Sequence, residues 1–225
     1  MIKSFLITLS FSTFLFSSQQ ILLVVADDFN SSKAKLSCIE GEQIVCEDID
    51  VNLGKSGLAW GIGIKDIPHA SSEPIKYEGD KRAPAGIFSL TESFGYKAKT
   101  DTKLPYLYTD RNLICVDDSH SPFYNQIIEA NGNEKSFEHM RRKDGQYKIG
   151  VVVAHNPDAI AQRGSCIFLH IQKSKDHLTV GCTSMQEKDL QKIVKWLDKS
   201  KNPIMIQIPK KYLHEVTKLY SLPKE

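Results

Sequence analysis

Apolar residues dominate the start of the chain, from Phe5 to Phe16 behind Lys3 and again from Ile21 to Val25, where Val24-Val25-Ala26 precedes Asp27-Asp28. A cationic start, an apolar stretch and small residues before a polar step have the layout of an export signal, which predicts cleavage after Ala26. The polar run Ser17-Ser18-Gln19-Gln20 interrupts the stretch and makes it a poor membrane span. Beyond residue 34 the pattern becomes short β-branched and apolar runs separated by turn residues. A hairpin is expected around Gly41, from residues 35–39 and 43–46, and neighbouring strands are expected at 46–51 and 58–64. Further strands are expected at 87–90, 113–116, 147–154 and 166–171, with an irregular stretch at 91–112 and a short helical turn or strand at 136–142.

After residue 182 the period changes. Leu190, Ile193, Val194 and Leu197 recur at helical spacing and predict a helix over 185–199 with one buried face, stopped by Asn202-Pro203. A last core strand at 204–208 and a small terminal helix at 212–220 follow. With no repeat and no linker, the expected fold is one mainly β domain with a few helices (α+β), a small β-sandwich or open barrel over residues 27–225 behind a signal peptide at 1–26.

Composition narrows the function. The chain has 225 residues, 41% of them hydrophobic and 25% charged, as in an ordinary globular domain. Lys and Arg number 29 against 27 Asp and Glu, and a net charge of +2 gives no footing for counterion-release binding to nucleic acid. The 5 cysteines are an odd set for an exported protein. Cys38 and Cys46 flank the hairpin turn and suit either a local disulfide or burial as small apolar groups. Cys115 and Cys166 pair if their strands adjoin, which leaves Cys182 as the free thiol.

Cysteine acyl transfer needs a thiolate, a base, a group that orients the base, and amide donors for the oxyanion. Cys182 follows Gly181, whose lack of a side chain lets a carbonyl approach the backbone, and the amides at the start of the helix that follows would lower the thiol pKa. His170 ends the preceding strand and returns to Cys182 across a short loop. Asp80 is explained by an Asx turn as well as by chemistry. His155, before Asn156-Pro157, suits a structural or substrate-side role. Asp117, Asp118, His120, Glu138 and His139 fit no metal-ligand spacing.

Residues 51–208 resemble the L,D-transpeptidase catalytic domain family. The matching segments include Gly57-Leu58-Ala59-Trp60-Gly61, Glu78-Gly79-Asp80-Lys81-Arg82-Ala83-Pro84-Ala85-Gly86-Ile87-Phe88, Phe94-Gly95-Tyr96, Glu138-His139-Met140, and Gly164-Ser165-Cys166-Ile167-Phe168-Leu169-His170 leading to Gly181-Cys182-Thr183. The resemblance implies that Cys182 attacks, His170 is its base, the Ile171 carbonyl orients the imidazole, and the amides of Gly181 and Cys182 hold the oxyanion. It implies no cofactor and no metal, an exported enzyme of the periplasm or cell envelope, and peptidoglycan stem peptides as substrate. The stem would be cleaved after its third residue with loss of D-alanine and passed from a thioester to an amine on a second stem or on a protein. Water as acceptor would make the same enzyme an L,D-carboxypeptidase. A rival of another class is a non-catalytic wall-binding domain, against which the intact His170 and Gly181-Cys182 stand; a metallohydrolase is a further alternative.

Three positions depart from the common pattern of that family. Ile171 stands where many members have Gly, Val180 where many have Ser-His before Gly-Cys, and Thr183-Ser184 replaces a frequent Val or Ile followed by Arg or Asn. Without that Arg or Asn, the substrate carboxylate falls to Arg82, Arg141, Arg142 or Arg163, with His155, Ser165 and Thr183 as further substrate-side residues.

Overall fold

The computed structural model describes residues 18–223. The strands are β1 (Gln20–Ala26), β2 (Lys33–Glu40), β3 (Gln43–Asn52), β4 (Leu58–Trp60), β5 (Ala83–Gly95), β6 (Tyr106–Tyr108), β7 (Leu113–Val116), β8 (Ile127–Glu129), β9 (Phe137–His139), β10 (Ile149–Val153), β11 (Phe168–Ile171), β12 (Thr183–Met185) and β13 (Ile204–Pro209). Helix α1 spans Glu187–Trp196 and α2 Leu213–Tyr220. The main sheet runs β10-β11-β12-β3-β2-β1-β13-β5 and closes where β5 returns to β10, so the expected sandwich or open barrel is a closed barrel of 8 strands. Closure leaves no free edge in that sheet. β4 and β6 attach to β5, and β8-β7-β9 form a separate small sheet over the outside of the barrel wall.

The side-chain alternation of each strand sorts residues between two cores. Leu22, Phe88, Leu90, Val151, Val153, Leu169 and Met205 belong to the main cluster that fills the barrel and packs its helices. Phe94, Cys115, Met140, Tyr147, Cys166, Phe168 and Cys182 form a second cluster, between the β10–β11 wall and the small sheet. The small sheet is tied down covalently by Cys115–Cys166, which joins β7 to the approach of β11. Asn125 adds hydrogen bonds to His155 O, Asn156 O and Cys166 N. The second disulfide, Cys38–Cys46, lies across the β2–β3 hairpin at directly opposed positions. Each closes a loop that would otherwise be free in the unfolded chain.

Two sequence expectations change. Residues 46–51 and 58–64 are not neighbours, because β3 pairs with β2 and β12 while β4 pairs with β5. The second apolar run is β1, an interior strand of the barrel rather than the end of a leader: it pairs antiparallel with β2 and parallel with β13. Ile21, Leu22, Val24 and Ala26 are buried. The side chain of Gln20 is anchored by donating to Glu40 and Trp196 O and accepting from Asp198 N. Residues 1–17 of the signal peptide expected at 1–26 lie outside the described residues. No described helix is long and apolar enough to cross a membrane.

Cutting after Ala26 would remove a strand paired on both sides. Ile21, Leu22 and Val24 each contribute about 1.5–3 kcal/mol by burial, a sum comparable with the whole net stability of a domain. A chain beginning at Asp27 is therefore expected to lose its cooperative thermal transition in circular dichroism, while one beginning at Ser18 keeps it. Mass spectrometry of any processed form should place the new N terminus before Gln20.

Candidate active site

β11 and β12 pair in parallel, Leu169 opposite Thr183 and His170 opposite Ser184. Leu169 and Thr183 face the barrel interior, where the Thr183 hydroxyl donates to Gln207 Oε1 at 2.7 Å. By alternation Phe168, His170 and, one residue before Thr183, Cys182 face the second core. Cys182 is the free cysteine of the described residues and is buried. Gly150 lies opposite His170 and also beside Phe94, and a side chain there would strike the Phe94 ring at 2.2 Å. That absence of a side chain lets Phe94, Phe168 and Tyr147 pack edge to face, with Tyr147 against the His170 ring at 5.3 Å between centroids.

The imidazole is oriented by its own strand: His170 Nδ1 donates to Ile171 O at 2.9 Å, which leaves Nε2 as the acceptor. Cys182 Sγ accepts from Phe168 N at 3.4 Å and donates to Cys166 O at 3.4 Å. The thiol thus rests against the start of β11, not on the imidazole. Thr179 braces the turn before it, with Gly181 N donating to Thr179 Oγ1 at 3.2 Å and Thr179 Oγ1 donating to Cys182 O at 2.6 Å. The Gly181 amide is therefore engaged, whereas the Cys182 amide has no partner among the described hydrogen bonds. Of the two amides expected for an oxyanion, Cys182 N is the free donor.

Two cavities meet at the thiol. One, of about 130 Å³, is lined by Gln146, Tyr147, His170, His177 and Thr179. The other, of about 240 Å³, is lined by Lys76, Glu78, Asp117, Ser165 and Gly181. Cys182, Glu138 and Val180 belong to both. Glu138 accepts from the Tyr147 hydroxyl at 2.6 Å, and burial raises its pKa. Burial, then the nearby Glu138 charge, push the Cys182 thiol up to about 12. Burial lowers His170 to about 4. Both groups are neutral near pH 7, so thiol and imidazole form an uncharged acid and base facing one cavity.

Not every residue expected at the site is there. Cys182, His170, the Ile171 carbonyl, Gly181 and Ser165 are brought together, with Ser165 Oγ donating to Glu78 Oε2 at 2.7 Å. Thr183 points the other way, into the barrel. His155 is 1% exposed with both ring nitrogens occupied: Nδ1 accepts from Ile62 N and Nε2 donates to Arg163 O. Its role is structural. Arg82 donates to Phe29 O and Leu58 O, Arg141 to Thr109 O while lying over the Tyr96 ring, and Arg163 to Lys76 O. None of these three lines either cavity; Arg142, bidentate with Asp144, does.

Asp80 holds its turn by accepting from Tyr77 N and Arg82 N, and it pairs with buried Lys76. The helix amides expected beside the thiol are displaced, because β12 intervenes and α1 starts only at Glu187. The thiol pKa accordingly rises where a helix N terminus would have lowered it. Tyr147, His177 and Thr179 were not anticipated as site residues. Thr179 had a local signal, a hydroxyl two residues before Gly181 able to cap the turn. The other two depend on contacts across strands. Among the described residues no group of three or more His, Cys, Asp or Glu is placed to hold a metal. No family model, curated protein or solved structure matches the chain.

Two measurements follow from the dry site. Iodoacetamide is expected to label Cys182 at pH 7 at least about a hundredfold more slowly than a small free thiol, read by mass after timed quenching; fast labelling would show an open thiolate. His155 and His170 both fall to about 4 in the fold from an ordinary value of 6.5. The unfolded chain takes up these protons first, so stability is full above about pH 6.5 and is lost progressively as the pH falls towards 4. The loss is up to about 3 kcal/mol per histidine. Urea midpoints at pH 7 and pH 4.5 test it.

Proposed function

We propose that this chain is an exported cysteine acyltransferase of the L,D-transpeptidase type that acts on peptidoglycan stem peptides. The observation that carries the reading is the pairing of a free thiol with a histidine whose Nδ1 is held by the Ile171 carbonyl. That bond leaves Nε2 as the acceptor nitrogen, as a base requires, and both groups line one cavity. The order of Gly164-Ser165-Cys166, His170 and Gly181-Cys182 along the chain supports the same family, and the two disulfides support an oxidising compartment.

In this reading the thiol turns from Cys166 O towards His170 Nε2 when the donor enters. Sγ attacks the carbonyl of the stem's third residue as its proton passes to Nε2, and Cys182 N–H donates to the oxyanion. Collapse breaks the peptide bond. D-Alanine leaves with the proton from His170, and the remaining stem is held as a thioester. An acceptor amine then loses its proton to His170, attacks the thioester carbonyl and restores the thiol; water in that place gives a shortened stem. No metal or organic group enters any step. Neutral partners suit this sequence, since no charge has to be buried before the substrate arrives.

Tetrapeptide-bearing muropeptides incubated with the wild-type chain should give a cross-linked dimer or a tripeptide by mass spectrometry. Cys182→Ala and His170→Ala should each lower the rate at least about a thousandfold with the circular dichroism unchanged. A wild-type chain that yields neither product and no Cys182 thioester would remove the proposal.

A further inference from the structure

A larger and more open cleft, of about 1120 Å³, adjoins the His170 cavity and shares Glu138 and Arg142 with it. Its charge is one-sided. Arg111, Arg141 and Lys143 line it, and none of them pairs with a carboxylate among the described ion pairs. The two acids on the wall are already engaged: Asp144 holds Arg142, and Glu138 takes the Tyr147 hydroxyl on the catalytic side. Arg111 and Lys143 are exposed. Arg141 is pinned by Thr109 O and Tyr96, so its charge stays in place without neutralisation.

The same wall carries β9, an edge strand of the small sheet. The bonds that flank it run from Asp117 N to Ser136 O and from Met140 N to Leu113 O, and the antiparallel alternation turns the main-chain groups of Phe137 and His139 away from β7. Phe137 and His139 are exposed and stack edge to face at 5.2 Å. An extended chain laid along β9 would meet free N–H and C=O groups, an aromatic pair and three cations.

We propose that this cleft binds an extended acidic peptide segment, its carboxylates on Arg111, Arg141 and Lys143 and its backbone along β9, and delivers it past Arg142 to Cys182. The assignment rests on the acyl-transfer reading for its direction. The carboxylate-binding role expected of the arginines thus belongs to a cluster about the small sheet, not to Arg82 or Arg163. A nearly neutral chain with three local cations favours a short acidic peptide over nucleic acid, which needs many phosphate contacts.

The test uses the full chain carrying Cys182→Ala, so that binding is read without turnover. Titration calorimetry at low salt compares acetyl-Ala-Glu-Ala-Glu-Ala-Glu-amide, the same peptide with Gln for Glu, and a single-stranded oligothymidylate. The Glu peptide should bind at least about tenfold more tightly than the Gln peptide and weaken with added salt. Arg111→Glu with Lys143→Glu should weaken it about tenfold. A control, Lys97→Glu with Lys148→Glu, should bind as the parent does, and circular dichroism should show both variants folded. Equal binding of the two peptides, no binding, or no loss in the Arg111/Lys143 variant would overturn the assignment, as would tighter binding of the oligothymidylate. If the cleft binds the Glu peptide in this way while the wild-type chain never forms a thioester, the acyl-transfer reading fails and the cleft assignment stands. Thioester formation with binding that ignores Arg111 and Lys143 is the reverse case.

Discussion

The site hangs from the parallel pairing of β11 with β12. With Leu169 opposite Thr183, the pleat sends Leu169 and Thr183 into the barrel and Phe168, His170 and Cys182 out towards the small sheet. A slip of one residue would exchange the two sets and bury the histidine in the barrel. Several bonds guard the register. Thr183 donates to Gln207, which in turn donates to Pro84 O, and Gln172 N donates to Met185 O. Asn52, on the next strand, holds the loop between histidine and cysteine through Gln172, Ser174 and His177. The barrel therefore aims the two groups and the cover sheet closes over them.

Dryness is the second property of the site. The disulfide between β7 and the approach to β11, with the bonds of Asn125, presses the small sheet onto the wall, and the thiol and imidazole lose water together. Burial opposes charge on either one, so the thiol donates to a carbonyl while the imidazole keeps its acceptor free. Glu138 stands where both cavities meet and links the Cys182 pocket to the basic cleft through Arg142. The thiol and the basic cleft thus lie on opposite sides of one half-buried carboxylate.

Much of the fold was legible along the chain. The hairpin around Gly41, the buried strand leading to His170, the amphipathic α1 and the last core strand all lie where periodicity places them. The odd cysteine count singled out Cys182 once the other four paired. The failures share a cause. β1 reads as a leader because an apolar run near the chain start looks alike whether it leads export or fills a barrel; burial by β2 and β13 distinguishes them. The helix after Cys182 starts at Glu187, slightly later than its period suggests, because the short β12 lacks the length for an alternating pattern of its own. Thr183 looks like a substrate-side residue from its place next to Cys182, although adjacent residues on a strand face opposite sides.

By itself the sequence determined the mainly β character and an odd cysteine count, since these follow from residue type, local period and count, whereas the pairing of Cys182 with His170 rested on the resemblance. Only the tertiary structure decided that the sheet closes and that Arg142, alone of four candidate arginines, reaches the site. Those outcomes depend on pairings between residues tens or more than a hundred positions apart, and on which side chains water can reach. Neither leaves a trace in any local window of the chain.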